Sequence, residues 1–237
     1  MGNNYFRFKQ FTIDQAGCAM KVTTDASLFG AWVAMYAKQS HRALDIGGGT
    51  GLLSLMLAQK NETAIDVIEI EQECFDQMKQ NIENSEWKQR IHCVLQDVNE
   101  FDSTHNYDII LSNPPFHQHQ LKSDQPAINL ARHGDELTLE LLFKKVNEMI
   151  ADHGEFFLLV PAYREQETVS IAEKNGMHLQ KKACVKQSLY HEAFRIMYAF
   201  SKNNDSEIEK AEIIIKDKSD QYTPEFSNYL KDYYLNL

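Results

Sequence analysis

The stretch Leu44-Asp45-Ile46-Gly47-Gly48-Gly49-Thr50-Gly51 joins a short apolar run to a helical pattern and decides the fold class. Ala43–Ile46 is predicted to be a strand, and Gly51–Gln59 the helix that follows it. Glycines at such a junction allow positive φ angles and let a ligand approach the backbone closely. The sequence therefore predicts the first unit of an α/β fold, with a ligand lying against this turn.

Short apolar runs alternate with helical patterns through most of the remaining chain, as expected for βαβ units. The predicted strands are 43–46, 64–70, 91–95, 107–112, 155–160, 179–185 and 193–201. The predicted helices are 24–37, 51–59, 72–84, 137–150, 164–175 and an aromatic-rich tail within 224–237 that folds back onto the body. We expect a doubly wound, seven-stranded, mostly parallel sheet, Rossmann-like, whose last two strands form an antiparallel edge hairpin.

Composition narrows the class of protein. The 24 basic and 34 acidic residues give a net charge of −10, which argues against unspecific capture of nucleic acid but leaves room for a local basic face. The apolar runs are too short to cross a membrane, and the N-terminus lacks the features of a signal peptide, so we expect a cytoplasmic protein.

Cysteine and histidine usage predicts neither disulfides nor a metal site. The four cysteines (Cys18, Cys74, Cys93, Cys184) are scattered, and we expect reduced, mostly buried thiols. His117-Gln118-His119 has no third ligand nearby, so no metal is expected.

The spacing of the glycine turn distinguishes between possible ligands. A dinucleotide fingerprint would need Gly or Ala where Leu52 stands, and a Walker loop would need a Gly-Lys-Ser or Gly-Lys-Thr end. Instead, Asp45 lies two residues before a G-x-G-x-G run. An acid there suits a ligand with a cationic amino acid part, such as S-adenosylmethionine, whose amino group Asp45 would face directly or through water.

Two further acids follow the next predicted strands. Glu69 ends the second strand, where doubly wound folds carry the carboxylate that binds a ribose diol; Glu71 is the near alternative. Asp97 follows the third strand and could accept a hydrogen bond from an adenine amino group. Asp97 could equally be a helix or turn cap.

Asn113-Pro114-Pro115-Phe116 follows the predicted strand Tyr107–Ser112. A planar amino nitrogen needs its protons held by two acceptors before it can attack a methyl donor, and the Asn113 side-chain oxygen and the Pro114 carbonyl could supply them. The Phe116 ring could lie flat on the base. An ordinary stiff turn leaving a strand is the alternative interpretation, because Pro fixes φ and offers no N–H.

Together these motifs resemble the class I S-adenosylmethionine-dependent methyltransferases, and Asn113–Phe116 resembles the branch that methylates planar nitrogens. That branch includes adenine-N6, guanine-N2 ribosomal RNA and glutamine-N5 protein methyltransferases. The N-terminus resembles the bacterial tRNA(Val) adenine-37 N6-methyltransferase family, and the resemblance runs the full length. It rests on Phe6–Thr12, Cys18–Asp25, Gly30-Ala31-Trp32, Tyr222 and Tyr233-Tyr234-Leu235.

Two positions depart from that family's pattern. Thr23-Thr24-Asp25-Ala26 stands where many relatives have Gly-Thr-Asp-Gly, and Phe116 where many have Tyr. Phe116-His117 also resembles the guanine-N2 enzymes. Those enzymes usually carry a second, degenerate methyltransferase domain, for which this chain has no room.

The resemblance implies the layout of the chain and its site. Residues 1–40 would form a cofactor lid and helix, 41–201 the core sheet and 202–237 a C-terminal extension of one methyltransferase domain. The implied catalytic residues are Asn113, Pro114, Pro115 and Phe116. The implied cofactor residues are Lys21, Thr23, Asp25, Asp45, Gly47, Gly49, Gly51, Glu69, Asp97 and Asn113.

The implied function is methylation of N6 of adenine 37 in the anticodon loop of tRNA(Val), by a monomer without a metal or a membrane anchor. The alternatives are guanine-N2 rRNA methylation, glutamine-N5 protein methylation, or a cofactor-binding scaffold without activity. A tRNA substrate requires basic residues to gather around the site despite the net charge. The candidates are Arg7, Lys9, Lys21, Lys122, Arg132, Lys181, Lys182, Lys186 and Arg195.

Overall fold

A computed structural model of the chain describes residues 3–18, 20–37, 40–115, 137–204 and 207–237. The strands are β1 Tyr5–Arg7, β2 Thr12–Asp14, β3 Arg42–Ile46, β4 Ala64–Glu69, β5 Ile91–Leu95, β6 Tyr107–Ser112, β7 Ile150–Pro161, β8 His178–Ser188, β9 Ala193–Ser201 and β10 Glu209–Lys216. The α-helices are α1 Thr24–Tyr36, α2 Leu52–Lys60, α3 Gln72–Glu83, α4 Leu139–Met149, α5 Glu165–Lys174 and α6 Pro224–Leu230, and Ala162–Arg164 forms a 3₁₀ turn.

The central sheet has eight strands in the order β10-β8-β9-β7-β6-β3-β4-β5. β9 runs antiparallel to β7 and β8, and the other neighbouring strands pair in parallel. The strand order proceeds outward in opposite directions from the adjacent strands β3 and β6, towards β5 on one side and towards β10 on the other. The predicted doubly wound, mostly parallel sheet with a β8–β9 hairpin is therefore confirmed.

Three local expectations need correction. The sheet has an eighth strand, β10, which covers β8, so the hairpin does not end the sheet. The short antiparallel pair β1–β2 was not predicted. The helix expected to extend to residue 150 ends at Met149, and β7 begins at once. Gly154 lies inside β7, where a side chain would come within 2.8 Å of the Tyr107 carbonyl oxygen.

Alternate side chains of the central strands supply two apolar cores, one on each face of the sheet. On one face Trp32 of α1 packs edge-on against Phe157, with ring centroids 5.4 Å apart. On the other, Phe143 of α4 packs edge-on against Phe156 at 5.3 Å. Because neighbouring residues of a strand point to opposite faces, the run Phe156–Val160 is apolar throughout.

The aromatic tail folds back onto the first of these cores, as predicted, although its helix ends at Leu230. Tyr233 is buried, and its hydroxyl donates to the Met56 carbonyl oxygen at 3.0 Å. The Tyr233 carbonyl accepts from the Lys9 amide at 2.7 Å, so the tail also holds the chain between β1 and β2. In the part of the chain that the structure describes, no helix is both long and apolar enough to span a membrane.

Candidate active site

The glycine turn and the Asn-Pro-Pro motif begin side by side at the carboxyl edge of the sheet. Strand register pairs Ile46, the last residue of β3, with Ser112, the last residue of β6. The Ser112 hydroxyl donates to the Ile46 carbonyl oxygen at 2.8 Å, which fixes the two strand ends together. Ligands of open α/β sheets bind at such an edge, where the two halves of the sheet diverge.

The glycine turn adopts the backbone that the sequence predicts. Gly47, Gly49 and Gly51 have φ angles of 76°, 56° and 81°. The amides of Gly47 and Gly48 donate to the Ile68 carbonyl oxygen at 3.0 and 2.9 Å, so the turn folds down onto the end of β4. L side chains rarely adopt these angles, so glycine is required.

Two adjacent glycines are expected to respond differently to substitution. A Cβ at Gly48 would lie 2.3 Å from Val67 Cγ2 and 2.6 Å from Met78 Sδ, so Gly48→Ala should destabilise the fold by about 1–3 kcal/mol through overpacking. A Cβ at Gly47 meets no described atom within 4 Å, and Gly47→Ala should cost only about 1–2 kcal/mol of left-handed strain.

Denaturant unfolding of both variants, together with cofactor titration, checks this prediction. Gly47 is exposed whereas Gly48 is buried, so Gly47→Ala should lose cofactor affinity out of proportion to its stability. The prediction would be contradicted if Gly47→Ala and Gly48→Ala were equally stable and lost cofactor affinity equally.

Asp45 is a fully buried carboxyl group with an unused acceptor. Its Oδ2 accepts a hydrogen bond from the Ser54 hydroxyl of α2 at 2.7 Å. Its Oδ1 has no hydrogen-bond partner among the described residues. Burial, opposed by the Ser54 hydrogen bond and reinforced by Glu69, raises the pKa of Asp45 to about 7. A buried unpaired acceptor is costly unless a partner arrives, so the site fits a cationic ligand group.

Glu69 holds the glycine turn in place. Its Oε2 accepts from the Gly49 amide at 2.8 Å. Its Oε1 accepts from the Ile70 and Glu71 amides at 2.9 and 3.0 Å. Each carboxylate oxygen can accept two hydrogen bonds, so Oε2 can still receive a ribose hydroxyl. Glu71, the alternative from the sequence, is the N-cap residue of α3.

Asp97 follows β5 close to Glu69, because the Gln96 amide donates to the Glu69 carbonyl oxygen at 3.0 Å. Its Oδ1 accepts from the Asn99 amide at 2.8 Å, so Asp97 caps a turn, as the alternative interpretation has it. Ile70, which the sequence analysis did not single out, is 54% exposed directly after Glu69. An apolar β-branched residue following a predicted ligand carboxylate is the signal that the sequence offers for it.

Of the predicted lid residues, Lys21 and Thr23 lie between the N-terminal hairpin and α1, and Asp25 lies in the first turn of α1. The Lys21 ammonium donates to the Gln15 carbonyl oxygen, and the Gln15 side chain accepts from the Val22 amide at 2.8 Å, so Gln15 is joined to both Lys21 and Val22. Thr23 caps α1 by accepting from the Ala26 amide at 3.4 Å. Asp25 forms an ion pair of 2.7 Å with Arg195, at the start of β9.

The motif after β6 turns out of the sheet. Asn113 is partly exposed, Pro114 is buried and Pro115 is exposed. No hydrogen bond joins the Asn113 side chain to the residues that the structure describes. Phe116, Lys122 and Arg132, which the sequence assigns to the base and the RNA, lie outside the described residues.

Comparisons with known proteins place this chain in a family. The model of the methyltransferase small domain matches residues 30–169. A tRNA1(Val) (adenine(37)-N6)-methyltransferase of Dyadobacter fermentans is 40% identical over 99% of both chains. The enzyme of the same name from Bacteroides thetaiotaomicron is 36% identical over 100% of both. The chain belongs to the tRNA1(Val) (adenine(37)-N6)-methyltransferase family.

Solved structures confirm the methyltransferase fold. A predicted O-methyltransferase, Atu636 from Agrobacterium tumefaciens, superposes with a TM-score of 0.65 over 90% of this chain and 100% of its own, at 16% identity. The glycopeptide N-methyltransferase MtfA, complexed with S-adenosylmethionine, gives a TM-score of 0.58 over 75% of this chain and 94% of its own, at 9% identity.

Four of the basic residues expected at the mouth are paired with acids in this methyltransferase. Ion pairs join Lys181 to Glu155, Lys182 to Glu165, Lys186 to Glu212 and Arg195 to Asp25. Lys9 donates to the Lys231 and Leu237 carbonyls, and Arg7 is exposed on β1.

Strand register shows how far apart two of these cations lie. Arg195 is level with Pro161 at the carboxyl edge. Lys181 is level with Ala199, about 13 Å further from that edge. Lys181 is thus not gathered with Arg195 at the edge, and acids of neighbouring elements pair with four of the described cations.

Exposed apolar residues lie at the same edge, on the side of β6 away from β4 and β5, and sequence reasoning missed them. We use the name aromatic rim for Tyr163, Leu189, Tyr190 and Phe194, which are 68, 52, 75 and 36% exposed. Tyr163 belongs to the 3₁₀ turn after β7, and the other three lie at the β8–β9 turn. Leu189-Tyr190 inside a predicted turn is the signal that could have found it.

The expectation of reduced thiols is wrong for two of the four cysteines. Cys18 and Cys74 form a disulfide with a Cα–Cα distance of 4.7 Å. Cys93 and Cys184 are free and half-buried. Burial raises the pKa of Cys93 to about 11 and also raises that of Cys184, which disfavours the thiolate form of both. Among the described residues, no cluster of three or more candidate metal ligands is found.

Proposed function

We propose that this protein transfers the methyl group of S-adenosylmethionine to N6 of adenine 37 in the anticodon loop of tRNA(Val). One observation carries the proposal: in a chain of this family, Asn113-Pro114-Pro115 leaves β6 directly beside the glycine turn, with Ser112 hydrogen-bonded to Ile46. S-adenosylmethionine supplies a methyl group already activated by positive charge. The protein's main contribution is therefore positioning.

The cofactor side of the site divides by chemistry. Asp45 Oδ1 would pair with the amino acid ammonium, and Glu69 Oε2 would accept from the ribose. Ile70 offers an apolar surface for the adenine ring, and Asp97 an acceptor for its amino group. Lys21, Thr23 and Asp25 would close over the cofactor, and Gly47, Gly49 and Gly51 would let it approach the backbone. These assignments rest on the orphaned acceptor of Asp45 and on the shared sheet edge.

The substrate side would prepare the N6 nitrogen. The Asn113 side-chain oxygen and the Pro114 carbonyl would accept its two protons and turn its lone pair towards the methyl group. Phe116 would stack on the base, and Pro115 would stiffen the turn. The surplus proton leaves after transfer, so no strong base is needed. Adenine 37 lies in a single-stranded loop, so turning it out costs less than flipping a paired base.

The contacts to RNA would combine cations with stacking. We retain Arg7, Lys9, Lys122, Arg132, Lys181, Lys182, Lys186 and Arg195 as candidate phosphate contacts. The four ion pairs are partly open to solvent, so phosphates can compete for these cations. The aromatic rim lies about 10 Å from β6 across two strand spacings, on the side away from β4 and β5. Its rings could stack on nucleotides that flank the target base.

Tyr190→Ala is expected to raise the KM for tRNA about 5- to 100-fold and to leave the KM for S-adenosylmethionine unchanged, because one stacked base is worth about 1–3 kcal/mol. Tyr190→Phe keeps the ring and should behave as the native enzyme does. Steady-state kinetics on purified tRNA measure both parameters. An unchanged KM for tRNA in Tyr190→Ala would remove the rim from the interface.

The proposed function is tested by incubating the protein with radiolabelled S-adenosylmethionine and, in parallel, total bacterial RNA or protein. Label recovered as N6-methyladenosine at position 37 of tRNA(Val) is the expected result. N2-methylguanosine in ribosomal RNA, or N5-methylglutamine in protein, would replace the proposal by the matching alternative. Cofactor binding without label in any pool would instead indicate a scaffold.

A further inference from the structure

The lid is fastened along one face of α3. Asn81 exchanges two hydrogen bonds with the Asp14 backbone: its Oδ1 accepts from the amide at 2.9 Å, and its Nδ2 donates to the carbonyl at 2.8 Å. The same Nδ2 donates to the Thr50 carbonyl at 2.9 Å. This end of the lid is therefore tied both to α3 and to the glycine turn.

The other end of the lid is held mainly by a covalent bond. The Gly17 amide reaches Gln77 Oε1 only at 3.4 Å, which is long for a hydrogen bond. Cys18 is bonded to Cys74 one turn further along the helix. Positions 74, 77 and 81 are spaced three and four residues apart and share one face of α3. The lid therefore runs towards the N-terminus of α3.

The disulfide lies at the end of α3 that is next, along the chain, to the carboxyl edge of the sheet. Cys74 lies in the first turn of α3, which follows Glu69 and Glu71 at the carboxyl edge of the sheet. After Cys18 the chain leads through Lys21 and Thr23 into α1. Without the bond, the described contacts of Gly17 and Cys18 with α3 would be weak: the long hydrogen bond from Gly17 to Gln77, the close approach of Gly17 to Glu73, and a 3.8 Å contact from Cys18 Sγ to the Cys74 carbonyl oxygen. The lid could then lift.

We infer that Cys18 and Cys74 are a reversible redox pair, and that their disulfide holds the lid closed over the cofactor. The natural reagent class is a small disulfide such as oxidised glutathione. The half-buried Cys74 thiolate attacks it, forming a mixed disulfide and releasing one glutathione thiolate. The Cys18 thiolate then displaces the second glutathione. Two protein thiols are oxidised and one glutathione disulfide is reduced to two thiols.

The pair itself is tested without cofactor. The double variant Cys93→Ser/Cys184→Ser leaves only Cys18 and Cys74, and free thiols are counted by mass after alkylation across a series of glutathione redox buffers. We expect one transition in which both thiols disappear together, leaving a disulfide peptide that joins residues 18 and 74. The same double variant with the further change Cys18→Ser should not give this disulfide peptide. Two thiols that persist in excess oxidised glutathione would overturn the inference.

The proposed role of the disulfide in closing the lid rests on the proposed cofactor site. It is tested by measuring the effect of the disulfide on cofactor binding and the effect of the cofactor on disulfide formation. If the disulfide holds the lid closed, the oxidised protein should bind S-adenosylmethionine about 5-fold or more tightly than the reduced protein, with slower release. Added cofactor should then shift the redox transition towards the disulfide by the same factor. Cys18→Ser should bind like the reduced protein under both conditions.

Two results separate the claims. Equal cofactor affinity in both redox forms, with an unmoved transition, would overturn the lid role while the proposed function stands. Failure of both forms to bind S-adenosylmethionine, while the thiols still titrate, would overturn the proposed function and the lid role with it.

Discussion

Asn113→Ala is expected to slow methyl transfer about 10²- to 10³-fold while the protein still binds S-adenosylmethionine. In the proposed arrangement the amide oxygen accepts one N6 proton and so directs the nitrogen lone pair out of the base. Alanine leaves that proton unpaired and the lone pair conjugated with the ring. Removing one preorganised hydrogen bond that acts in the transition state costs about this much in other enzymes.

Single-turnover transfer from labelled cofactor to tRNA, alongside equilibrium dialysis of the cofactor, measures the two effects separately. Asn228→Ala makes the same chemical change at an exposed position of α6 and should leave both values native. Native transfer by Asn113→Ala would exclude Asn113 from the mechanism. Lost cofactor binding would instead indicate a role in holding the cofactor.

Local patterns were enough to predict the frame of the molecule. Ala43–Ile46 and Tyr107–Ser112 are apolar runs that end at Gly or Asn-Pro, and such runs read as buried parallel strands without any tertiary information. β10 was not predicted because its first four residues are exposed and three of them are charged, so its apolar signal shrinks to Ile213–Ile215. β1 and β2 are three residues each, too short for a periodic pattern.

Features of the site that directly follow a strand in the sequence could be predicted. Contacts between residues of two elements far apart in the sequence could not. The glycine turn follows β3 along the chain, so its backbone could be anticipated. Asp25 and Arg195 are 170 residues apart, and nothing in the sequence pairs them. The same holds for Cys18 and Cys74, 56 residues apart. The basic residues were assigned to RNA by their positive charge alone. Several of them form ion pairs with acids that only the folded sheet brings near.

Asp45→Asn is expected to stabilise the ligand-free protein and to weaken cofactor binding about 10- to 100-fold. The amide can still accept from Ser54, but it lacks the charge that a buried ammonium group needs, and charged hydrogen bonds are worth about 1.5–3 kcal/mol. Because the pKa of Asp45 in the fold lies near 7, well above its ordinary value of 3.8, ionisation opposes folding. The ligand-free native protein therefore loses stability as pH rises from about 4 to about 7, by up to about 1.4 kcal/mol per unit. A neutral Asn does not.

Calorimetric unfolding and cofactor titration of the native and Asp45→Asn proteins test whether ionised Asp45 lowers stability and strengthens cofactor binding. The native and Asp45→Asn proteins should unfold at similar temperatures near pH 4 and diverge towards pH 8, with the variant the more stable. Cofactor affinity of the native protein should fall up to about tenfold per unit below pH 7, because a cation binds the ionised carboxyl, whereas the variant should show no such slope. A native affinity that is flat between about pH 6 and pH 8 would mean that Asp45 does not receive the cationic group. Asp45 Oδ1 would then need a different partner, and Asp45 would have a structural role only.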